Sequence, residues 1–211
     1  MRLIYWLLLA LFLVQCQSDK VEQQDELPFL GIPITIQEEV DGKMVDKQVP
    51  PTVPDFKLWN QDSVEVTQAL LKNKLQVVDF FFTKCPTLCP IITKSMERVH
   101  RRFKDNERVQ LVSFSIDYIN DSVPTLKEYA EDLELASNNW HFLECDPEQT
   151  YDVAKGYVST ALEDKDVPGG YDHTGNLVLV DGDGYVRSFC NGKDQADVDR
   201  FMNDIETLLN E

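Results

Sequence analysis

The 211-residue sequence predicts an α/β fold with a mostly parallel central sheet. Two apolar runs, Val77–Phe82 and Val109–Ile116, have the β-branched and aromatic composition of strands buried on both faces. Each run is followed by a segment with helical spacing, which implies right-handed βαβ crossovers. A closing hairpin, Leu177–Asp181 and Tyr185–Cys190 around a Gly-Asp-Gly turn, adds antiparallel strands. This order predicts the thioredoxin-like architecture with an N-terminal β-hairpin extension.

The N-terminal extension is predicted from residues 27–49, where strand formers flank an Asp41-Gly42 turn. A short strand is predicted in Val53–Trp59. A short helix follows in Val64–Lys74, with Val66, Leu70 and Leu71 facing inward, and leads to the central strand.

The elements after the central strand alternate as the fold requires. Helix Ile91–Phe103 places apolar residues at intervals of three or four. A second helix opens at Asp121-Ser122-Val123-Pro124, with Asp121 or Ser122 as its cap. The remaining predicted elements are the end of that helix at Leu135, strand Trp140–Leu143, helix Thr150–Tyr157, a loop over Ser159–Tyr171 and the amphipathic helix Asp194–Asn210.

Two cysteines, Cys85 and Cys89, follow the central strand directly. Pro86 and Pro90 favour extended backbone at both cysteines, so no helix is expected to run through the pair, and Pro90 suits the first position of the next helix. The dipole and free N–H groups of a helix N-terminus favour thiolate over thiol. Thiols placed in this way are suited to metal binding or to disulfide exchange.

The formal net charge is −17, and the chain has no basic stripe that could neutralise phosphates. Nucleic acid is therefore excluded as a partner. A charge of this sign indicates either a well-solvated surface or attraction of a cation or a basic partner.

The first fifteen residues are predicted to be a lipoprotein signal peptide. Arg2 forms a minimal positive region, and the apolar segment Leu3–Val14 is too short to span a bilayer as a stable helix. Cys16 follows as the expected site of lipidation, although Gln15 replaces the usual small residue. Cleavage would change the net charge from −17 to −18, because Arg2 is the single charged residue removed.

The predicted domain organisation is therefore a signal peptide over 1–15, a tether and extension over 16–49, and a thioredoxin-like domain over 50–211. The acidic, aperiodic residues 17–26 are expected to be a flexible tether. Cleaved or not, the segment predicts a domain held on the outer side of the cytoplasmic membrane, in the cell envelope.

Copper is the metal that best suits the two cysteines, since thiolates are soft ligands that select Cu(I), zinc or iron–sulfur clusters. A structural zinc site requires four ligands, and no second Cys or His pair has zinc spacing. Among the three histidines, His100 is expected at the surface and His141 in a packing or surface role. His173 is predicted to lie in a flexible, glycine-rich loop just before the strand at Leu177, and in a thioredoxin-like sheet this segment approaches the cysteine turn. His173 is therefore the candidate third ligand.

Three segments resemble the signature of the Sco (SenC-type) family, and they occur in the same order: Asp79–Pro90, Val112–Asp117 and Asp172–Thr174. The likeness covers roughly Pro50–Glu211. It implies a membrane-anchored, thioredoxin-like protein that binds one copper ion, Cu(I) or Cu(II). It further implies assistance in assembling the binuclear copper centre of cytochrome c oxidase. The implied partners are the copper-bearing subunit of that oxidase and another copper chaperone or a thiol reductant.

Carried over by position, the resemblance implies that Cys85, Cys89 and His173 are the copper ligands. Asp172 could orient the imidazole. Asp117 lies at the sheet edge where sites form, or caps the next turn. Tyr118 replaces the usual proline after that aspartate, and Cys145 and Cys190 replace a glycine and an aromatic residue. We expect these two cysteines to be small buried or edge thiols on opposite sides of the sheet, without a disulfide between them.

Three alternatives remain open from the residues. A thiol–disulfide oxidoreductase could use Cys85 and Cys89 as a redox-active pair, although their spacing is one residue longer than the thioredoxin motif. A peroxiredoxin-like peroxidase is disfavoured because no arginine is evident near the cysteines. A purely structural lipoprotein would not explain the turn with two prolines. Enzymatic activity and the choice between copper delivery, copper sensing and thiol reduction are left open.

Overall fold

The computed structural model describes residues 26–135, 139–144, 146–159, 161–163 and 171–211. The helices and strands in chain order are β1 Ile34–Val40, β2 Lys43–Val49, β3 Lys57–Trp59, β4 Glu65–Thr67, β5 Leu75–Phe81, α1 Cys89–Phe103, β6 Val109–Ser115, α2 Val123–Asp132, β7 Trp140–Leu143, α3 Pro147–Gly156, β8 Ala161–Glu163, β9 Tyr171–His173, β10 Asn176–Val180, β11 Val186–Asn191 and α4 Gln195–Asn210.

A five-stranded sheet in the order β11-β10-β5-β6-β7 forms the centre of the fold. Strands β5, β6 and β7 are parallel, whereas β10 pairs antiparallel with both β5 and β11. Every residue of β5 and β6 is buried, as expected for strands covered on both faces. The predicted α/β class, the parallel centre and the closing antiparallel hairpin are confirmed.

Helices α1 and α4 pack against one another beside the sheet. The buried face of α1 carries the predicted apolar residues, and that of α4 carries Val198, Phe201, Ile205 and Leu208. Salt bridges Arg98–Asp199 and Arg102–Glu206 join the exposed sides of the two helices. Burial of an aliphatic or aromatic side chain of this kind contributes about 1.5–3 kcal/mol, so the apolar faces dominate the packing.

The N-terminal hairpin has the predicted position and turn. Strands β1 and β2 pair antiparallel, with Ile34 opposite Val49 at one end and Val40 opposite Lys43 at the turn. Asp41 and Gly42 both have positive φ, 53° and 76°, as the tight type I′ hairpin turn requires. Nearly all residues of both strands are exposed, so the hairpin projects from the domain.

The predicted helix over Val64–Lys74 is wrong. Residues Glu65–Thr67 form β4, which pairs with β3, and only Gln68–Leu71 form a short 3-10 helix. Leu70 is exposed, although Val66 and Leu71 are buried as expected. The prediction of a strand over Val53–Trp59 was too long, because regular pairing begins at Lys57.

The predicted loop over Ser159–Tyr171 is also wrong in part, since β8 pairs antiparallel with β9. Ala161 lies opposite His173, and Glu163 lies opposite Tyr171. Helix α2 ends at Asp132 and not at Leu135, with Ser122 as its N-cap. Helix α3 begins earlier than predicted, at Pro147, because the carboxylate of Asp146 caps it. No helix in the described part of the chain is long and apolar enough to cross a membrane.

Candidate functional site

The two cysteines lie on the connection between β5 and α1, at the C-terminal edge of the sheet. Helix α1 begins at Cys89 itself, with Leu88 as its cap in helical conformation. The expectation that Pro90 would hold Cys89 in an extended conformation is therefore wrong. The sulfur of Cys85 accepts a hydrogen bond from the backbone N–H of Cys89 at 3.3 Å. Cys85 thus supplies the acceptor that a capping side chain would otherwise provide.

Neither cysteine forms a disulfide with a residue that the structure describes, and both are buried. Burial by itself would raise the pKa of Cys85, but the backbone N–H groups of Cys89, Thr87 and Leu88 outweigh that effect and lower its pKa. Burial raises the pKa of Cys89, and the neighbouring charges of Cys85 and Asp79 raise it further. Cys85 is therefore the sulfur that ionises first, as predicted for a thiol at a helix N-terminus.

Asp79, on β5, is a buried carboxyl close to the thiol pair that sequence reasoning did not identify as part of the site. Burial raises its pKa to about 7, and a hydrogen bond from the hydroxyl of Ser113 opposes this shift only in part. The Ser113 oxygen also accepts from the indole N–H of Trp140 at 2.8 Å. Asp79 could have been suspected because a charged residue interrupts an otherwise apolar strand.

The loop after β6 holds the cysteine turn in place. The carboxylate of Asp121 accepts hydrogen bonds from the backbone N–H of Thr83 at 3.1 Å and from its hydroxyl at 2.5 Å. It also accepts from Ser115 at 2.7 Å. The ammonium of Lys84 donates to Asn120 at 2.7 Å. Asp121 was predicted only as an alternative helix cap, and its partners Thr83 and Ser115 come from two other segments of the chain.

Asp117 caps the turn that follows β6, which was one of its two predicted roles. One carboxylate oxygen accepts from the backbone N–H groups of Ile119 and Asn120 at 3.0 Å each. The same oxygen accepts from the hydroxyl of Tyr171 at 3.3 Å. Asp117 therefore joins the loop after β6 to the first residue of β9.

His173 is the last residue of β9, which pairs with β8, so the prediction that it lies on a flexible loop is wrong. The segment that carries it runs beside the cysteine turn. Tyr171 packs its ring on Phe82, with ring centroids 5.3 Å apart. Gly175 has a positive φ of 66°, and a Cβ there would lie 3.1 Å from the side chain of Leu88, between the two cysteines. The backbone of His173 thus lies between two residues that contact the turn.

Comparison with known proteins assigns the family. The SCO1/SenC family profile matches residues 45–210, which is most of the chain. The chain belongs to the SCO1/SenC family. The SCO1 homologue of Bacillus subtilis is 30% identical over 179 residues, covering 79% of this chain and 87% of that protein.

Solved SCO1/SenC structures share the thioredoxin-like fold. A SCO1/SenC family lipoprotein from Bacillus anthracis has a TM-score of 0.68 and 27% identity, covering 75% of this chain and 95% of its own. BsSco, a member of the Sco family of cytochrome c oxidase assembly proteins in which a disulfide switch was identified, has a TM-score of 0.66 and 29% identity. The match covers 75% of this chain and 93% of BsSco. Copper-bound ScoI of Bradyrhizobium japonicum has a TM-score of 0.61 and 27% identity, and the match covers 74% of this chain and 99% of ScoI.

The metal-ligand set of this SCO1/SenC chain stays a prediction. Among the side chains that the structure describes, no three His, Cys, Asp or Glu residues are arranged to hold a metal ion together. The side chains of Asp172 and His173 are outside the described part of the structure. Cys16 and Cys145 are outside it with both backbone and side chain. The structure describes two of the three predicted donors and the backbone course of the third.

The other two histidines differ in position. The prediction of a surface position for His100 is wrong, because only 3% of the residue is exposed and its ring packs on Trp140 at 5.7 Å. Burial lowers the pKa of His100, and the side chain of Asn139 opposes that shift. Neither ring nitrogen of His100 has a hydrogen-bond partner among the residues that the structure describes. His141 is half-buried between Asn60 and Gln110, each 3.2 Å from a ring nitrogen, so its predicted packing role is confirmed.

Cys190 is a buried free thiol on β11, as predicted. Burial raises its pKa to about 12. Cys145 follows β7 in the sequence, and β7 and β11 are the two opposite edges of the sheet, which confirms the predicted separation of the strands. Cys190 therefore contributes packing and not reactive thiolate to this SCO1/SenC domain.

Proposed function

We propose that this chain is a membrane-anchored copper-binding protein that assists assembly of the copper centre of cytochrome c oxidase. Its ligands for one copper ion, Cu(I) or Cu(II), are Cys85, Cys89 and His173. The observation that carries the proposal is the pair of buried thiols beside which the backbone of His173 runs. The copper-bound state of the B. japonicum relative supports the choice of metal.

The donor set suits copper on chemical grounds. Two thiolates and one imidazole give a soft, three-coordinate site that favours copper, whereas structural zinc sites are closed by four ligands. Cys85 is already held by N–H donors that stabilise its thiolate. Copper binding would displace the proton of Cys89 despite its raised pKa, because a coordinating thiol is deprotonated by the metal.

The anchoring is proposed from the N-terminal segment. Lipidation of Cys16 after removal of residues 1–15 would leave the domain on a short tether outside the cytoplasmic membrane, on the periplasmic side. The description of the B. anthracis relative as a lipoprotein supports this arrangement. The proposed partners are the copper-bearing subunit of the oxidase and either a second copper chaperone or a thiol reductant.

The decisive experiment is the metal content of the reduced protein, with copper and zinc measured together. We expect about one copper per chain, since the site has one pair of thiolates. His173→Ala should weaken copper binding and alter its absorption spectrum. His141→Ala is the matched control, because it removes an imidazole that binds Asn60 and Gln110 and lies away from the thiols. Unchanged copper affinity and spectrum in His173→Ala would show that the ligand assignment is wrong.

A thiol–disulfide oxidoreductase using the same pair is the second candidate. The contact between the N–H of Cys89 and the sulfur of Cys85 brings the two residues close enough for exchange, and their pKa values are shifted in opposite directions. The disulfide switch identified in BsSco supports this second candidate. A Cys85–Cys89 pair that fails to exchange with protein disulfides over the physiological range of potentials would exclude this candidate.

A further inference from the structure

Four basic side chains, Lys72, Lys74, Lys104 and Arg108, line one open cavity of about 670 Å³. Two acidic residues, Asp105 and Glu107, share its rim, so the lining carries an excess of positive charge in a strongly acidic chain. None of the four cations forms a salt bridge with any residue that the structure describes. We call these four residues the basic end.

The basic end lies at the opposite edge of the sheet from the cysteine turn. Lys72 and Lys74 precede the start of β5, and Cys85 follows its end. Arg108 precedes β6, which runs parallel to β5, and Lys104 follows the end of α1, which begins at Cys89. Seven strand residues and fifteen helical residues each span about 22 Å, so both connections separate the basic end from the thiols by roughly that distance.

The N-terminal chain reaches the domain at this same edge. The guanidinium of Arg187 donates to the carbonyl of Leu27 at 2.7 Å and pairs with Asp181 at 3.0 Å. The adjoining Gly182 carbonyl accepts from the backbone N–H of Asn73 at 2.8 Å, beside Lys72 and Lys74. Residues 17–26 extend at most about 35 Å. A lipid on Cys16 would therefore keep the domain within about 35 Å of the membrane, attached at the edge that carries the basic end.

We propose that the basic end docks on the anionic phospholipid headgroups of the membrane that carries the anchor, so that the cysteine turn faces away from the bilayer. The inference rests on the proposed lipid anchor. The net charge of −17 repels most of the surface from anionic lipid, which leaves the cavity lined by four cations and two carboxylates as the face that can approach it. Each cation at an anionic surface strengthens association by a factor of about five.

The test uses the full chain reconstituted into vesicles of phosphatidylcholine alone or of phosphatidylcholine with phosphatidylglycerol. Flotation first shows whether the chain is anchored. Brief acetylation and mass spectrometry then give the modification rate of each lysine. We expect Lys72, Lys74 and Lys104 to react several-fold more slowly only on vesicles that contain phosphatidylglycerol, and high salt to abolish the difference. Lys94 and Lys193, near the cysteine end, should react equally on both.

Charge reversal provides the matched variants. Lys72→Glu with Lys104→Glu should abolish the protection of Lys74, whereas Lys94→Glu with Lys193→Glu makes the same change in net charge and should preserve it. A chain that floats but shows no protection at the basic end, or equal protection in both variants, overturns the docking proposal and leaves the anchor intact. A chain that does not float overturns the anchor and the docking together.

Discussion

The hydroxyl of Tyr171 donates to the carboxylate of Asp117 at 3.3 Å, while the ring of Tyr171 packs on Phe82. One side chain on β9 thus contacts both the loop after β6 and the start of the cysteine turn. That loop in turn binds Thr83 through Asp121. The contacts tie the backbone that carries His173 to the backbone that carries Cys85.

Tyr171→Phe should weaken copper binding without removing a ligand. The variant keeps the ring contact with Phe82 and loses the hydrogen bond to Asp117, which contributes about 1 kcal/mol at this length. We expect about a fivefold loss of copper affinity. Competition titration with a Cu(I) chelator measures it. Tyr157→Phe is the control, since its hydroxyl binds Gln68 and Gln76 away from the site. Equal losses in the two variants would contradict a positioning role for Tyr171.

Gly175→Ala should damage the site more than its cost in stability implies. The residue has a φ of 66°, and an added Cβ would press on Leu88 at 3.1 Å. The left-handed conformation costs about 1–2 kcal/mol for a residue with a Cβ. Gly184→Ala, with a φ of 90° and only ordinary contacts, incurs the same strain in the β10–β11 turn. Denaturant unfolding should show similar losses of stability, and copper affinity should fall only in Gly175→Ala. A fall in both would mean that general destabilisation is the cause.

Cys85 should be the first of the described cysteines to be alkylated in the reduced, metal-free protein near neutral pH. Its pKa is lowered, whereas burial raises the pKa of Cys89 and of Cys190. Pulsed iodoacetamide labelling with peptide mass spectrometry gives the order of reaction. The three thiols should react alike in denaturant, which serves as the control. Faster labelling of Cys89 than of Cys85 would refute the assigned electrostatics.

Asp79 should make the fold less stable as the pH rises. Its folded-state pKa of about 7 lies above the ordinary value of 3.8, so its contribution is complete below about pH 4 and is lost as the pH rises through 7. A pKa difference of this size corresponds to a change of about 4 kcal/mol in the free energy of unfolding. Asp79→Asn should therefore gain stability relative to the wild type between pH 5 and pH 8 in urea unfolding.

Asp197→Asn is the control of opposite sign. Asp197 is slightly desolvated, but the N–H of Asn191 and the guanidinium of Arg200 outweigh this and lower its pKa. Its contribution is present above the ordinary pKa and is lost as the pH falls through the lowered one, so Asp197→Asn should be less stable at neutral pH and approach the wild type in acid. A constant difference between wild type and Asp79→Asn from pH 5 to pH 8 would show that Asp79 does not titrate as stated.

Local patterns predicted the elements in which side-chain periodicity and burial agree. The apolar run at Val77–Phe82 gave β5, and the spacing after Pro90 gave α1, because a period of 3.6 or a continuous apolar run reflects the faces that each element buries. The helix predicted over Val64–Lys74 failed because Glu65–Thr67 pair with β3, and such pairing between separated segments outweighs local propensity.

His100 shows the same limit at a single residue. Its position near the end of a charged helix suggested exposure, yet β7 places Trp140 against its ring. The face that a helix buries follows from its own sequence, but the extent of burial depends on the neighbour that covers it. That neighbour lies forty residues away in the chain and its position is set by the sheet.

The sequence by itself determined the α/β class, the strand–cysteine turn–helix unit and the choice of Cys85 and Cys89, because these depend on residues adjacent in the chain. Tertiary structure decided which groups surround the thiols. Asp79 comes from the strand beneath them, Asp121 from the loop after β6, and Tyr171 from a short hairpin. Asp79 is only six residues before Cys85, but Asp121 and Tyr171 come from segments far apart in sequence, so only the folding of the chain brings those two to the Cys85–Cys89 turn.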